Sequence, residues 1–178
     1  MKRVVLSVFA VVVLGSLPAI ARAQQPDEFE LWNAFGEGSS VSGENLIDMG
    51  KVKSTTKLKM TIKKKEADKI TLTLETESNG IKSSSERVVE KGKKAVECAA
   101  CKKAHKEPVV KEGGTEKVKV GDKEVEAKIL DITTYGCNDK EGSTKIWISK
   151  EVPGGVVKNA MKMEQGTVTY SVTAFEKK

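Results

Sequence analysis

Cys98, Cys101, His105 and Cys137 are the residues of this chain whose types and spacing could do chemistry. Cys98-x2-Cys101-x3-His105 offers three ligands at zinc-site spacing, and Cys137 would complete a Cys3His tetrahedron. In an oxidising compartment the same thiols pair as disulfides instead. Cys98 or Cys101 with Cys137 is the favoured pairing, because it closes a longer loop than a ring across Cys98-x2-Cys101 and constrains the unfolded chain more. One thiol is left over in either arrangement. Haem attachment of the c type needs a histidine directly after the second cysteine, where Lys102 stands. A thioredoxin-type pair needs a helix amino terminus after a strand in a βαβ unit, and no such unit is legible. A structural disulfide is therefore the expectation, with a zinc or thiol-active module as the alternative and no other cofactor expected.

The compartment follows from the start of the chain. Met1-Lys2-Arg3 is basic, the stretch from Val4 to Leu14 is apolar, and Ala21-Arg22-Ala23 is a small-x-small cleavage site before Gln24. This reads as a secretory signal peptide over residues 1–23, removed on export. Its apolar run is too short to span a bilayer and is broken by Gly15, Ser16 and Pro18. The mature chain, residues 24–178, is expected to be one domain in the periplasm or outside the cell, with no transmembrane segment and no lipid-bearing cysteine at its start.

Charge and composition narrow the partners. The formal net charge is +6, but Lys2, Arg3 and Arg22 belong to the leader. Arg87 is the one arginine after it, and the remaining cations are lysines dispersed among 25 acids. Phosphate and base-edge recognition favour the forked guanidinium, and the sparse aromatics form no local stacking platform, so nucleic acid is not an expected partner. Catalytic signatures are also missing. There is no Gly-x-Ser-x-Gly elbow, no His-Glu-x-x-His and no phosphate loop, and His105 is the single histidine.

The elements that would position these residues are mostly strands. Phe29, Trp32 and Phe35, three apart, suit a short helix laying an aromatic edge on the core, and Gly36, Gly38 and Gly43 end it. From there the period drops to two. Residues 57–63 alternate Leu58, Met60 and Ile62 with lysine and threonine, and residues 69–76 repeat this with Ile70, Leu72 and Leu74. The five polar residues between them suit a hairpin link. Residues 85–90, 116–120, 123–132, 145–149 and 167–175 read as further strands, with Gly121-Asp122 turning the second hairpin. Residues 91–114 read as a lysine-rich loop carrying the cysteines. The fold class expected is mainly β, an antiparallel meander of seven or eight strands forming a strongly curved sheet or half-barrel. Leu58, Met60, Ile62, Ile70, Leu72, Leu74, Val168, Tyr170 and Val172 should line its inner face, with Trp147 at the rim or inside.

The stretch Trp147-Ile148-Ser149-Lys150-Glu151-Val152-Pro153-Gly154-Gly155 resembles a pattern in exported bacterial proteins of unknown function, in which a tryptophan-serine strand runs into a Val-Pro-Gly-Gly turn. Phe35 to Val41 and the hairpin around Val118-Lys119-Val120-Gly121-Asp122-Lys123 are similar to other segments of that group. More loosely, the layout resembles the LolA-like and LolB-like lipoprotein carriers, and that resemblance implies a concave sheet that holds acyl chains. Independently of family, Pro153 presets φ and Gly154-Gly155 accept positive φ, which marks a structural turn.

These readings converge on an exported, non-enzymatic β protein that binds an apolar or amphiphilic ligand, such as a lipid, or an envelope protein, through its curved sheet. The alternative is a structural or interaction domain whose inner face is a filled core.

Overall fold

The computed structural model describes residues 27–50, 52–92, 108–135, 141–163 and 166–178. The expected leader and Cys98, Cys101, His105 and Cys137 lie outside the described residues. Among the described residues there is a helix, α1 (Glu28–Asn33), followed by β1 (Ser40–Asp48), β2 (Lys53–Lys65), β3 (Lys69–Ser78) and β4 (Ile81–Glu90). Then come β5 (Val109–Val120), β6 (Lys123–Tyr135), β7 (Glu141–Ile148), β8 (Val156–Met163) and β9 (Gly166–Glu176). All pair antiparallel in one curved, unclosed sheet of order β4-β3-β2-β1-β9-β8-β7-β6-β5.

The mainly β class is as the alternation predicts, and the details differ in three places. The described residues hold nine strands, because Ser40–Asp48 and Val156–Met163 are strands where no strand was expected. β5 begins at Val109, inside the stretch expected to be a loop. The strands are not consecutive throughout. Two meanders, β1 to β4 and β5 to β9, are joined at the middle by β1 pairing with β9, which leaves β4 and β5 as the two edges.

Curvature shows at the tip of the β5–β6 hairpin. A Cβ on Gly121 would lie 3.1 Å from the carbonyl oxygen of Thr173 in β9, and Lys123 Nζ sits 4.8 Å from the Phe175 ring centroid. Two strands, β7 and β8, separate β6 from β9 in the ladder, so the sheet must curl to bring these groups together.

The core is densest at the helix end. Direct partners across an antiparallel ladder share a face, so Ile62 opposite Leu72, Met60 opposite Leu74 and Val41 opposite Met60 form one inner surface. Phe29, Ile70 and Leu72 are fully buried there, in one cluster with Trp32 and Phe35. Each such side chain contributes about 1.5–3 kcal/mol on leaving water.

Local chemistry fixes α1 over this surface. The Asp27 carboxylate caps its start, accepting from the Phe29 N–H at 3.0 Å. Lys65 Nζ donates to the Asn33 and Phe35 carbonyls at 2.6 and 2.7 Å, closing the other end. Arg87 pairs with Glu28 at 2.8 Å and ties the helix to β4. On β6 and β7 both faces are buried, since Ile129 opposes Trp147 on one side and Leu130 opposes Ile146 on the other. Leu130, Ile132, Ile146 and Ile148 form a second cluster with Leu31.

Candidate functional site

Along the central strands the inner face changes character, and the register states how. Asn45 on β1 opposes Tyr170 on β9, which opposes Asn159 on β8, placing three polar side chains side by side. The next row toward the rim is Ile47, Val168, Met161, Thr144 and Ile132. Toward the helix the neighbouring row holds Leu58, Gly43 and Val172. A polar row therefore lies between two rows that are mostly apolar, Thr144 being the polar member of the rim-side one.

Asn45, Tyr170, Asn159 and Thr144 are 6%, 4%, 9% and 2% exposed. The Asn45 Oδ1, Asn159 Oδ1, Thr144 Oγ1 and Tyr170 hydroxyl have no hydrogen-bond partner. Leaving a buried polar atom unpaired costs about 1–3 kcal/mol, and such atoms are few in native folds. Four such atoms lie on neighbouring positions of this surface. Burial also pushes the Tyr170 phenol well above its ordinary value, so it remains a neutral hydroxyl. None of these rows contains an ionised side chain. Ile47 and Met161, on the rim side, are half-buried.

The geometry is set by β1. Its pairing with β9 slips at Ser42/Gly43, a bulge that lets the strand bend. At Gly43 a Cβ would meet Tyr170 Cε2 at 2.5 Å, so the ring leans over the bare glycine backbone and its hydroxyl is held in the sheet plane's shadow, away from solvent. Only a glycine leaves that room.

The residues expected to line the inner face are packed into the core. Leu58, Met60, Ile62, Ile70, Leu72 and Val172 are buried in the cluster that holds Phe29 and Trp32, with Leu74 partly buried against it. Tyr170 belongs to the same cluster, and Val168 is buried as well. Trp147 faces the other side of the sheet from Ile146, where it is buried. Its indole N–H donates to the Glu116 carboxylate, and Lys158 Nζ lies 4.7 Å from its ring centroid. Pro153, Gly154 and Gly155 sit in a turn in which Ser149 N–H donates to Gly155 O at 2.8 Å, and a Cβ on Gly154 would reach Trp32 at 2.5 Å.

Asn45, Asn159 and Thr144 escaped the sequence reading, because a polar residue at an inward position erases the alternation that reveals a strand. Among the described residues no group of three His, Cys, Asp or Glu is placed to hold a metal ion. On the outer face of β1 to β4 lies a shallow depression of about 660 Å³, lined by groups such as Lys57, Lys59, Glu75, Glu77 and Lys82. There Lys57 opposes Glu77, Lys59 opposes Glu75 and Glu77 opposes Lys82. These alternating charges complement one another across the strands, which gives the depression a structural reason.

No protein-family model and no curated protein matches the chain. Among solved structures it is similar to an inferred exported protein with a YmcC-like fold from Bacteroides fragilis, at 7% identity and a TM-score of 0.49, covering 80% of this chain and 97% of that one.

Proposed function

We propose that this chain is an exported, non-enzymatic protein that binds an amphiphilic ligand on the inner face of its curved sheet. The observation that carries the reading is the row of buried polar side chains Asn45, Tyr170 and Asn159, with Thr144 in the next row beside Ile47, Val168 and Met161, each of the four carrying an unpartnered polar atom. A ligand with a hydrogen-bonding head and an apolar body complements that pattern. Nothing in the row can act as a nucleophile with an adjacent base, which supports binding over catalysis. Export rests on the leader sequence, and no helix among the described residues is long and apolar enough to cross a membrane. Incubating the purified mature protein with a bacterial lipid extract, repurifying it and analysing it by native mass spectrometry should show a retained lipid. A protein that emerges bare would remove the reading.

The second reading, an interaction domain with a filled core, draws on the helix end, where Phe29, Ile70 and Leu72 are fully buried by the protein's own side chains. It predicts no uptake under the same conditions.

A further inference from the structure

We infer that the edge strand β4 pairs with the β4 of a second copy of this chain, antiparallel and with Ser84 facing its own symmetry mate, so that two curved sheets continue into one. This surface is distinct from the inner face, and the pairing does not depend on what binds there.

Among the described residues β4 and β5 are the two edges of the sheet, each with one neighbour, and they differ. β5 is interrupted: its register with β6 slips between Glu112 and Thr115, and Gly114 within the slip has φ +91°. Such a bulge blunts an edge against further pairing. β4 pairs with β3 along all ten of its residues without a shift. It carries no proline, and every residue from Ile81 to Glu86 is exposed. Ile81 at 75% and Val88 at 49% are large apolar side chains left in water on this one strand.

The hairpin fixes which backbone groups point away from the sheet. Asn79 and Gly80 both have positive φ, 52° and 78°, the two-residue turn whose closing pair, here Ser78 and Ile81, exchanges both ladder hydrogen bonds. Counting from that pair, Ile81, Ser83, Ser85, Arg87 and Val89 direct N–H and C=O to β3. Lys82, Ser84, Glu86 and Val88 direct theirs to the open edge. An incoming antiparallel strand must present the same alternating set, and a second β4 does.

Charge selects the register. With Ser84 on the two-fold axis, Lys82 faces the partner's Glu86 and Glu86 faces the partner's Lys82, two opposite-charge pairs related by symmetry. Lys63 Nζ engages one oxygen of Glu86, and a carboxylate accepts several donors at once. Sliding the strands by two residues sets Lys82 opposite Val88 or Ser84, and sliding by four can set Glu86 against Glu86. In the favoured register Ile81 stands opposite the partner's Arg87 and diagonal to the partner's Val89, which takes exposed apolar surface out of water. Charges on an edge strand usually guard it. Opposite in sign and four residues apart, these repel a misaligned strand and match a copy of themselves.

Sedimentation equilibrium of the mature protein, with a non-reducing gel showing that no intermolecular disulfide contributes, tests this. The native protein should shift from protomer to dimer as its concentration rises. Ser84→Pro deletes an N–H that points away from β3, a change an edge strand tolerates, and should leave a folded protomer that does not associate. Lys82→Glu and Glu86→Lys, each alone, set like charges opposite one another and should weaken association at least about tenfold. An equimolar mixture of those two variants restores both opposite-charge pairs and should dimerise as the native protein does, which no loss of folding could mimic. Amide exchange at Lys82, Ser84 and Glu86 should be fast in the dilute protomer and slow in the dimer. A native protein that stays a protomer up to about 1 mM overturns the inference. So do association that survives Ser84→Pro, a mixture no tighter than its components, and slow exchange at these amides in the protomer, the mark of an edge covered by the chain itself.

Discussion

The ring of Tyr170 lies over Gly43: a Cβ at that position would stand 2.5 Å from Tyr170 Cε2, 2.8 Å from the phenol oxygen and 2.7 Å from the Ser171 carbonyl oxygen. One of those contacts is backbone, so the strain cannot be relieved by rotating a side chain. The glycine is thus the means by which a large aromatic reaches the inner face between two central strands. Gly43→Ala should destabilise the fold by about 1–3 kcal/mol, the usual cost of overpacking a filled site. Urea denaturation gives the measure, and an unchanged midpoint would show that the ring has room to move. The same substitution should displace the Tyr170 hydroxyl.

Tyr170 also carries a stability prediction of its own. Its hydroxyl is buried and unpartnered, so Tyr170→Phe removes a desolvated group while retaining the ring. The variant should be more stable than the native protein by about 1 kcal/mol in the absence of ligand. At alkaline pH the gap should widen. Burial raises the phenol's pKa, so the folded state keeps a proton that the unfolded chain releases above about pH 10. Stability therefore falls as pH rises through that region, and the phenylalanine variant should lose this component. Midpoints for both proteins across that range would check the sign. A phenylalanine variant that is less stable at neutral pH would mean the hydroxyl is satisfied in solution.

The parts of this fold legible in the sequence are those whose inward residues are apolar. Leu58, Met60 and Ile62 announce β2, and Ile70, Leu72 and Leu74 announce β3, because each inward position is a branched or long aliphatic side chain. β1 and β8 obey the same geometry without the same signal. The inward set of β1 is Val41, Gly43, Asn45 and Ile47, and that of β8 includes Asn159. Glycine and asparagine read as turn residues, since the physical reasons that place them in turns act locally. Here burial between neighbouring strands overrides those preferences. β1 and β8 were hidden by the asparagines they contribute to the polar row, whereas β9, with Val168, Tyr170 and Val172, was legible. The central β1–β9 pairing was hidden as well, because long-range pairing leaves no local trace in either strand.

Acid sensitivity should localise in part to the turn between β1 and β2. Asp48 Oδ2 lies 3.0 Å from Lys53 Nζ, and Asp48 Oδ1 accepts from the Gly50 N–H at 3.0 Å. The Lys53 hydrogen bond, followed by that from Gly50, holds the carboxyl below its ordinary value of 3.8. A depressed folded pKa means the contribution is complete above the unfolded value and is lost as pH falls through the folded one. Asp48→Asn should therefore match the native protein's slope near neutrality and show a shallower decline from about pH 4 down to about pH 2. Parallel curves over that range would show that these contacts do not persist in solution.

Trp147 offers a last separation of packing from polar pairing. Its ring is 8% exposed and its N–H donates to Glu116 on β5, the edge strand, while Lys158 lies 4.7 Å from the ring centroid. The pairing spans β5, β6 and β7, so it holds an edge strand to the sheet's interior through a side chain two strands away. Glu116→Gln retains an acceptor and the size of the side chain, and should cost less than about 1 kcal/mol. Glu116→Ala leaves the buried indole N–H without a partner and should cost about 1–3 kcal/mol. Trp147→Ala removes a large buried surface and should cost about 3–5 kcal/mol. Hydrogen exchange separates these effects further. The Glu116→Ala variant should lose protection first along β5 and β6, while β2 and β3 exchange as in the native protein, because the edge can loosen before the helix-covered core opens. Uniform loss of protection across both halves would show that β5 is coupled to the whole sheet, and that its tie to Trp147 is not a local one.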